Sequence, residues 1–106
     1  MSPDDFAKAT AEGVWAPESL TTDGFIHASP ADQLTRVANK HHDRSDEVRV
    51  VCLRADRVRP EILWEPASDN RLYPHIYGPL NMDAAERSVS VRKGEDGRFA
   101  IPVPVA

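Results

Sequence analysis

The segment Gly24–Ser29 carries a histidine and a serine at a spacing that could bind a ligand. If its backbone is extended, Phe25 and His27 share one face, because the side chains of a strand alternate between faces. His27 then stands just before a helix start, where free amide groups can bind an anionic or polar group. Two interpretations follow. Either His27 hydrogen-bonds a ligand hydroxyl, or it is a core histidine bonded to backbone while Ser29 caps the helix.

A second histidine lies between two tyrosines in the segment Tyr73–Leu80. The same alternation places three of its side chains on one face: Tyr73, His75 and Tyr77. Such a group can line a pocket for a flat ring, because aromatic faces stack and an imidazole adds a polar contact. The alternative is an edge strand, stiffened by Pro74, whose tyrosines cover the core.

A carboxylate follows a tryptophan in the motif Trp64-Glu65-Pro66. In an extended backbone the two side chains face opposite sides, so we expect Trp64 to be packed and Glu65 to be accessible. An acid near two histidines could act as a general acid or base, or orient an imidazole. The alternative is an ordinary surface acid. The catalytic hypothesis names Glu65 and His27, and the predicted ligand-binding set is His27, Ser29, Tyr73, His75 and Tyr77.

Metal binding is an alternative for the same residues, since His27, His75 and Glu65 would form a ligand set if the fold brought them together. No two of them have the local spacing of a metal motif, and no HExxH, CxxC, Walker or Rossmann motif occurs. We therefore predict no metal site. Cys52 is the only cysteine and lies in an apolar run, which indicates a buried, unreactive thiol.

Helix and strand signals predict an α+β domain with two helices in the N-terminal half, packed on a small, mostly antiparallel, split sheet. The first helix begins after Ser2 and stops at Gly13, and the second begins at Ser29-Pro30 and ends near His42. The strand Val48–Leu53 is a continuous β-branched run, which predicts a central strand buried on both faces. The other predicted strands are Phe25–Ala28, Ile62–Glu65, Tyr73–Tyr77, Ser88–Arg92 and Phe99–Ile101.

Length and charge limit the classes of protein to which the chain can belong. Its 106 residues are sufficient for one core, so we expect a single domain over 1–106. A net charge of −4 argues against a nucleic-acid partner, which favours a basic surface. No apolar run approaches the ~20 residues of a membrane span, and no N-terminal signal is present. We therefore expect a cytoplasmic protein with no membrane association.

Together, these segments resemble the Domain of Unknown Function 952 family, in the order Asp23–Ser29, Trp64-Glu65-Pro66 and Tyr73–Leu80. The resemblance covers nearly the whole chain. It implies a compact α+β domain similar to ADP-ribosyltransferases, which bind NAD in the cleft of a split antiparallel sheet. Carried over to this chain, the resemblance implies that His27 or His75 contacts a ribose and that a tyrosine stacks on nicotinamide. That tyrosine is Tyr77 or Tyr73, and Glu65 is the implied acid.

Members of this family commonly begin with an apolar strand, whereas this chain starts at the cap of the first helix. We expect either that the strand is dispensable or that the true start lies upstream. The leading hypothesis is a small-ligand-binding domain for NAD or another nucleotide ribose, with ADP-ribosyltransferase-like chemistry. The alternative is a non-catalytic module that senses a metabolite or binds a protein, in which the histidines are structural.

Overall fold

The computed structural model describes residues 1–105 and has an α+β fold. Its helices are α1 (Pro3–Glu12), α2 (Ser19–Thr22) and α3 (Leu34–His41). Its strands are β1 (Val14–Trp15), β2 (Ile26–His27), β3 (Glu47–Leu53), β4 (Glu61–Pro66), β5 (Leu72–Tyr77), β6 (Leu80–Asn81) and β7 (Ala85–Arg92). Both predicted helices are confirmed. The short helix α2 and strand β1 are not among the elements that the sequence predicts.

All strand pairs are antiparallel, and they form three separate groups. The order β2–β5–β4 makes a three-stranded sheet, while β3 pairs with β7 and β1 pairs with β6. The prediction of a small, mostly antiparallel sheet is therefore confirmed. The three-stranded sheet carries both histidine segments.

Helix α1 begins and ends at the residues that the sequence indicates. The Ser2 hydroxyl accepts a hydrogen bond from the Asp5 amide at 3.1 Å, as a serine cap does. At the other end Gly13 has a φ of 77°, and its amide donates to the Ala9 carbonyl at 2.8 Å. Only glycine adopts this left-handed conformation without steric cost, so the helix stops there.

One face of the three-stranded sheet packs on a core, and the other face remains available for a site. Ile76 pairs with Ile26 on one side and with Ile62 on the other. Ile26 and Ile76 are buried together with Leu80. Because strand side chains alternate, the residues between these isoleucines face the opposite side. The buried isoleucines thus determine which face of the sheet presents His27 and His75.

The C-terminal segment Phe99–Ile101 was predicted as a strand, and that prediction is wrong. The segment has no strand pairing and instead lies along α3, with Phe99 and Ile101 buried against Ala38. Oδ1 of Asn39 accepts a hydrogen bond from the Phe99 amide at 2.8 Å, and Nδ2 donates one to the Phe99 carbonyl at 3.0 Å. These backbone groups are therefore satisfied by helix side chains instead of by a neighbouring strand.

The strand β3 is not a central strand of a sheet, contrary to the prediction. Within residues 1–105 its regular pairing is with β7 alone, although Met1 and Arg49 also exchange two backbone hydrogen bonds. Both of its faces are nevertheless covered. Val48 and Val50 are buried in the core beside α3, and Phe6 of α1 lies against Arg49 on the other face. A continuous apolar run indicated cover on both faces but not the number of partner strands.

None of the helices in the described part of the chain has the length and apolar character needed to cross a membrane.

Candidate functional site

The core-free face of the three-stranded sheet collects five of the residues that the sequence singled out. In the strand register His27 lies opposite His75, and Glu65 lies opposite Tyr73. Tyr77 follows two residues after His75 on the same face. We call this surface the histidine face, and its members are His27, Glu65, Tyr73, His75 and Tyr77.

His75 is the fixed centre of the histidine face. It is only 8% exposed, and its ring stacks on Phe25 with a centroid distance of 3.9 Å and an interplanar angle of 14°. Its Nδ1 lies 2.9 Å from the Glu65 carboxylate. Because a carboxylate only accepts, Nδ1 donates, and the neutral ring then has its lone pair on Nε2. Nε2 makes no hydrogen bond to residues 1–105, so it is available to a ligand.

Glu65 orients this imidazole and is not an ordinary surface acid. The same carboxylate oxygen accepts hydrogen bonds from His75 and from the Tyr77 hydroxyl. The Tyr77 bond, followed by the His75 bond, lowers the pKa of Glu65 below its usual 4.5. The same contact with Glu65 raises the pKa of Tyr77 above 10.0. Trp64, which was expected to be packed, is instead 56% exposed because the core ends before its position on the sheet.

His27 is an exposed partner of the fixed imidazole. Its side chain is 60% exposed, and its Nε2 lies 2.8 Å from the carboxylate of Asp23. Its ring makes an edge contact with Phe25 at 4.7 Å and stands 5.6 Å from the His75 ring. The structure thus rules out the buried-core interpretation of His27. Its carboxylate partner is an Asp four residues upstream, which the sequence pattern did not single out.

Ser29 does not cap the following helix, contrary to the prediction. Its hydroxyl donates to the carbonyl of Pro30 at 2.8 Å. The chain then makes a short 3₁₀ turn, Ala31–Gln33, before α3 starts at Leu34. The α-helix therefore begins well after His27, and the predicted anion site at its N-terminus does not form beside this histidine.

Tyr73 is held by charged residues that the sequence pattern also missed. Its hydroxyl donates to Asp69 at 2.8 Å, and Arg36 contacts the same carboxylate oxygen at 2.7 Å. The bond to Asp69 is the main cause that raises the pKa of Tyr73. The Arg71 amide is the main cause that lowers the pKa of Asp69. Tyr73 is buried and serves to connect the sheet to α3, which leaves Tyr77 as the exposed ring of the pair.

Two cavities border the histidine face. A recess of about 70 Å³ lies between α3 and the sheet and includes His27, Tyr73 and His75 in its walls. By this measure a single water needs roughly 10–15 Å³, so the recess admits one small group such as a phosphate. An open cleft of about 450 Å³ lies on the other side of Tyr77, beside Arg59. The recess cannot enclose a whole dinucleotide, although it could take one part of such a ligand.

The structure does not bring the considered metal ligands together as a metal centre. Among residues 1–105, no three His, Cys, Asp or Glu side chains form a group that could hold an ion. Glu65 instead uses one oxygen for both His75 and Tyr77.

Comparison with known proteins agrees with the resemblance seen in the sequence. The family described as Protein of unknown function (DUF952) matches residues 1–88. This chain belongs to that family. No curated protein matches it. The crystal structure of protein CC0527 from Caulobacter crescentus is similar, with a TM-score of 0.85 and 24% identity, over 94% of this chain and 89% of that one. A double mutant of CC0527 gives a TM-score of 0.84. At this identity the similarity shows a shared fold alone.

In this DUF952 domain, Tyr77→Phe should raise the pKa of Glu65 towards 4.5, because the substitution removes the larger of its two stabilising hydrogen bonds. A carboxylate with a lowered folded-state pKa contributes stability above its unfolded pKa, and loses it as pH falls through the folded value. The variant should therefore lose less stability than the wild type below about pH 4.5.

Carbon-detected NMR titration of the Glu65 carboxyl measures this shift directly. Tyr73→Phe is the matched control, since its hydroxyl bonds Asp69 and not Glu65. An unchanged Glu65 pKa in Tyr77→Phe would show that the hydroxyl is not bonded to this carboxylate.

Proposed function

We propose that this chain is a small-ligand-binding domain that takes a ribose-bearing nucleotide of the NAD type on its histidine face. The observation that carries this proposal is the convergence of four rings beside one carboxylate. The rings of Phe25, His27, His75 and Tyr77 lie with neighbouring centroids 3.9 to 5.6 Å apart, and Glu65 bonds two of them.

Each part of this arrangement suits one part of a nucleotide. Tyr77 is 39% exposed, so its ring is available to stack on a base or on nicotinamide. The exposed imidazole of His27 and the unbonded Nε2 of His75 can exchange hydrogen bonds with ribose hydroxyls. These hydroxyls both donate and accept, which matches a neutral imidazole at either position.

The finer proposal is ADP-ribosyltransferase-like chemistry on this ligand. The bond that breaks joins the ribose of NAD to nicotinamide, which leaves as a neutral molecule with the bonding electrons. Positive charge builds on the ribose until water bonds to the same carbon and releases a proton to the solvent. A carboxylate near that charge stabilises it. Glu65 has this role in the proposal, because its lowered pKa keeps it ionised at neutral pH. His27 is the proposed catalytic partner that contacts and positions the ribose.

A non-catalytic domain is the second candidate, and the buried state of His75 favours it. An imidazole that is stacked on Phe25 and bonded to Glu65 is also what a purely structural histidine looks like. Such a domain would bind a metabolite and leave it intact. Nicotinamide release from NAD separates the two candidates, since only the enzyme produces it in proportion to protein concentration.

A protein-binding role is favoured by one further surface. On the opposite face of the sheet, Trp64 pairs with Pro74, and Leu72 pairs with Pro66. Trp64 and Leu72 are 56% and 54% exposed, although large apolar residues are usually buried. The protein-binding candidate predicts that Trp64→Ser abolishes complex formation, whereas His27→Ala leaves it intact.

Thermal unfolding with and without ADP-ribose, NAD and adenosine tests the proposed function. A ligand at ten times its dissociation constant adds about 1.4 kcal/mol of stability, or roughly 5–10 °C in a domain of this size. We expect such a shift with ADP-ribose, and a much smaller one with 2′-deoxyadenosine than with adenosine. No shift with any ribose-bearing ligand at millimolar concentration would contradict the proposal.

A further inference from the structure

The recess beside the histidine face gathers basic side chains from two elements. Helix α3 contributes Arg36, Lys40 and His41, and the sheet contributes His27 and His75. The spacing of the three helix residues places them on one side of α3, towards the sheet. His41 is exposed and lines the recess.

The recess has more basic than acidic groups in its walls, although the whole chain has a net charge of −4. The recess has two permanent cations, Arg36 and Lys40, and three imidazoles, against the single carboxylate Asp69. Asp69 already accepts from Arg36, from the Tyr73 hydroxyl and from the Arg71 amide. Its charge therefore serves to fix the wall of the recess. His27 and His75 each contact another carboxylate, Asp23 and Glu65 respectively. Lys40 and His41 form no ion pair with a carboxylate among residues 1–105.

Two polar groups of the recess can still form hydrogen bonds with a ligand. The Lys40 ammonium makes one long contact, 3.4 Å to the Ser68 hydroxyl, and retains further donors. Nε2 of His75 makes no hydrogen bond to residues 1–105. The volume of about 70 Å³ limits the occupant to one small group.

We propose that this recess is an anion subsite that binds one phosphoryl group, with Lys40 and His75 as its main contacts. The proposal deepens the proposed function and rests on it, since the phosphoryl group would belong to the nucleotide held on the histidine face. A phosphate oxygen accepts from Lys40 and, once the imidazole is protonated, from the Nε2–H of His75. In this arrangement the ribose contact is left to His27. Such charge-assisted hydrogen bonds are stronger than neutral ones.

Anion binding in this recess should strengthen as pH falls. Burial, followed by the nearby charges of Lys40 and His27, lowers the pKa of His41. A bound anion opposes these effects, so it favours protonation of the imidazoles, and protonation favours the anion in return. Asp69 and Tyr73 also face the recess, but each is already bonded to the other.

Sulfate titration followed by NMR tests the subsite on the intact chain. Sulfate is the probe because its charge stays fixed between about pH 6 and about pH 8, where imidazole titrates. Ionic strength is held constant with chloride. We expect saturable shifts of the Lys40 and His41 signals, with tighter binding at the lower pH. Lys40→Gln should weaken sulfate binding about tenfold, while Lys8→Gln, which removes the same charge from an exposed position on α1, should not.

Nucleotide titrations separate this proposal from the proposed function. Lys40→Gln should weaken ADP-ribose but leave adenosine, which has no phosphate, unchanged. Inorganic phosphate that binds as tightly as ADP-ribose would identify a free anion as the occupant and overturn the nucleotide assignment. Equal sulfate affinity in Lys40→Gln and Lys8→Gln would overturn the subsite, whereas adenosine binding would still support the histidine face.

Discussion

His27→Ala should weaken ADP-ribose binding by up to about tenfold while hardly changing the stability of the fold. The removed imidazole is 60% exposed and contacts only Asp23 and neighbouring rings, and an exposed pair of this kind contributes about 0–1 kcal/mol. A hydrogen bond from this ring to a ribose is worth about 0.5–1.5 kcal/mol, and about 1.4 kcal/mol is tenfold in affinity. Calorimetric titration gives the affinity, and urea unfolding gives the stability.

His75 needs a different substitution, because alanine would also leave Glu65 without the group that donates to it. His75→Asn retains a donor for Glu65 and removes Nε2, so it tests the ligand contact more cleanly than alanine does. Asp23→Ala is the matched control for His27, since it removes the partner of the imidazole and leaves the ring. Wild-type affinity in both His27→Ala and His75→Asn would exclude the histidine face as the binding site.

Ile76→Ala should destabilise the domain by about 2–5 kcal/mol, a large fraction of the total stability of a small protein. Ile76 is 2% exposed and lies between Ile26 and Ile62 on the core side of the sheet. The substitution removes buried methyl groups and leaves a cavity that the surrounding strands fill only in part. Urea unfolding at constant pH measures the loss as a lower midpoint.

Leu63→Ala is the matched control for Ile76→Ala. Leu63 lies on the neighbouring strand directly opposite His75, on the histidine face, and is 41% exposed. Its loss should cost about 1 kcal/mol, well below the cost at Ile76, because much of its surface is already in water and its removal leaves no closed cavity. Equal costs for the two substitutions would show that the sheet does not bury one face and expose the other as described.

The alternation of the strand is the part of the site that the sequence predicts well. A period of two is enough to place Tyr73, His75 and Tyr77 together, and Phe25 with His27. Ile26 and Ile76 alternate with these residues and form the apolar face of the same strands. The start and end of α1 were predictable for a similar reason, since Ser2 and Gly13 act on backbone within a few residues.

Contacts between distant parts of the chain are what the sequence does not predict. Asn39 satisfies the backbone of Phe99 from 60 residues away, so a segment with strand-like composition lies along a helix instead. No local pattern distinguishes these two outcomes. The role of Ser29 was not predictable either. The 3₁₀ turn after Pro30 moves the start of α3 to Leu34, which is too far along the chain for Ser29 to cap it.

Some hydrogen-bonding partners of the site residues could likewise be predicted from the sequence, and others could not. Asp69 lies four residues before Tyr73 and could have been proposed as its partner from spacing, as Asp23 could for His27. Arg36 could not, because only the packing of α3 against the sheet brings it to Asp69. Glu65 reaches His75 and Tyr77 because an antiparallel register of β4 and β5 brings them to one place.

Binding of a ribose-bearing nucleotide on the histidine face is the central claim, and imidazole nitrogen NMR tests it directly. The ¹⁵N signals of His27 and His75 would be followed as ADP-ribose is added to uniformly labelled wild-type protein. We expect both to shift and saturate with one common dissociation constant, with Nε2 of His75 changing most. If ADP-ribose leaves both imidazoles unchanged at saturation, it binds elsewhere or not at all, and the central claim is wrong.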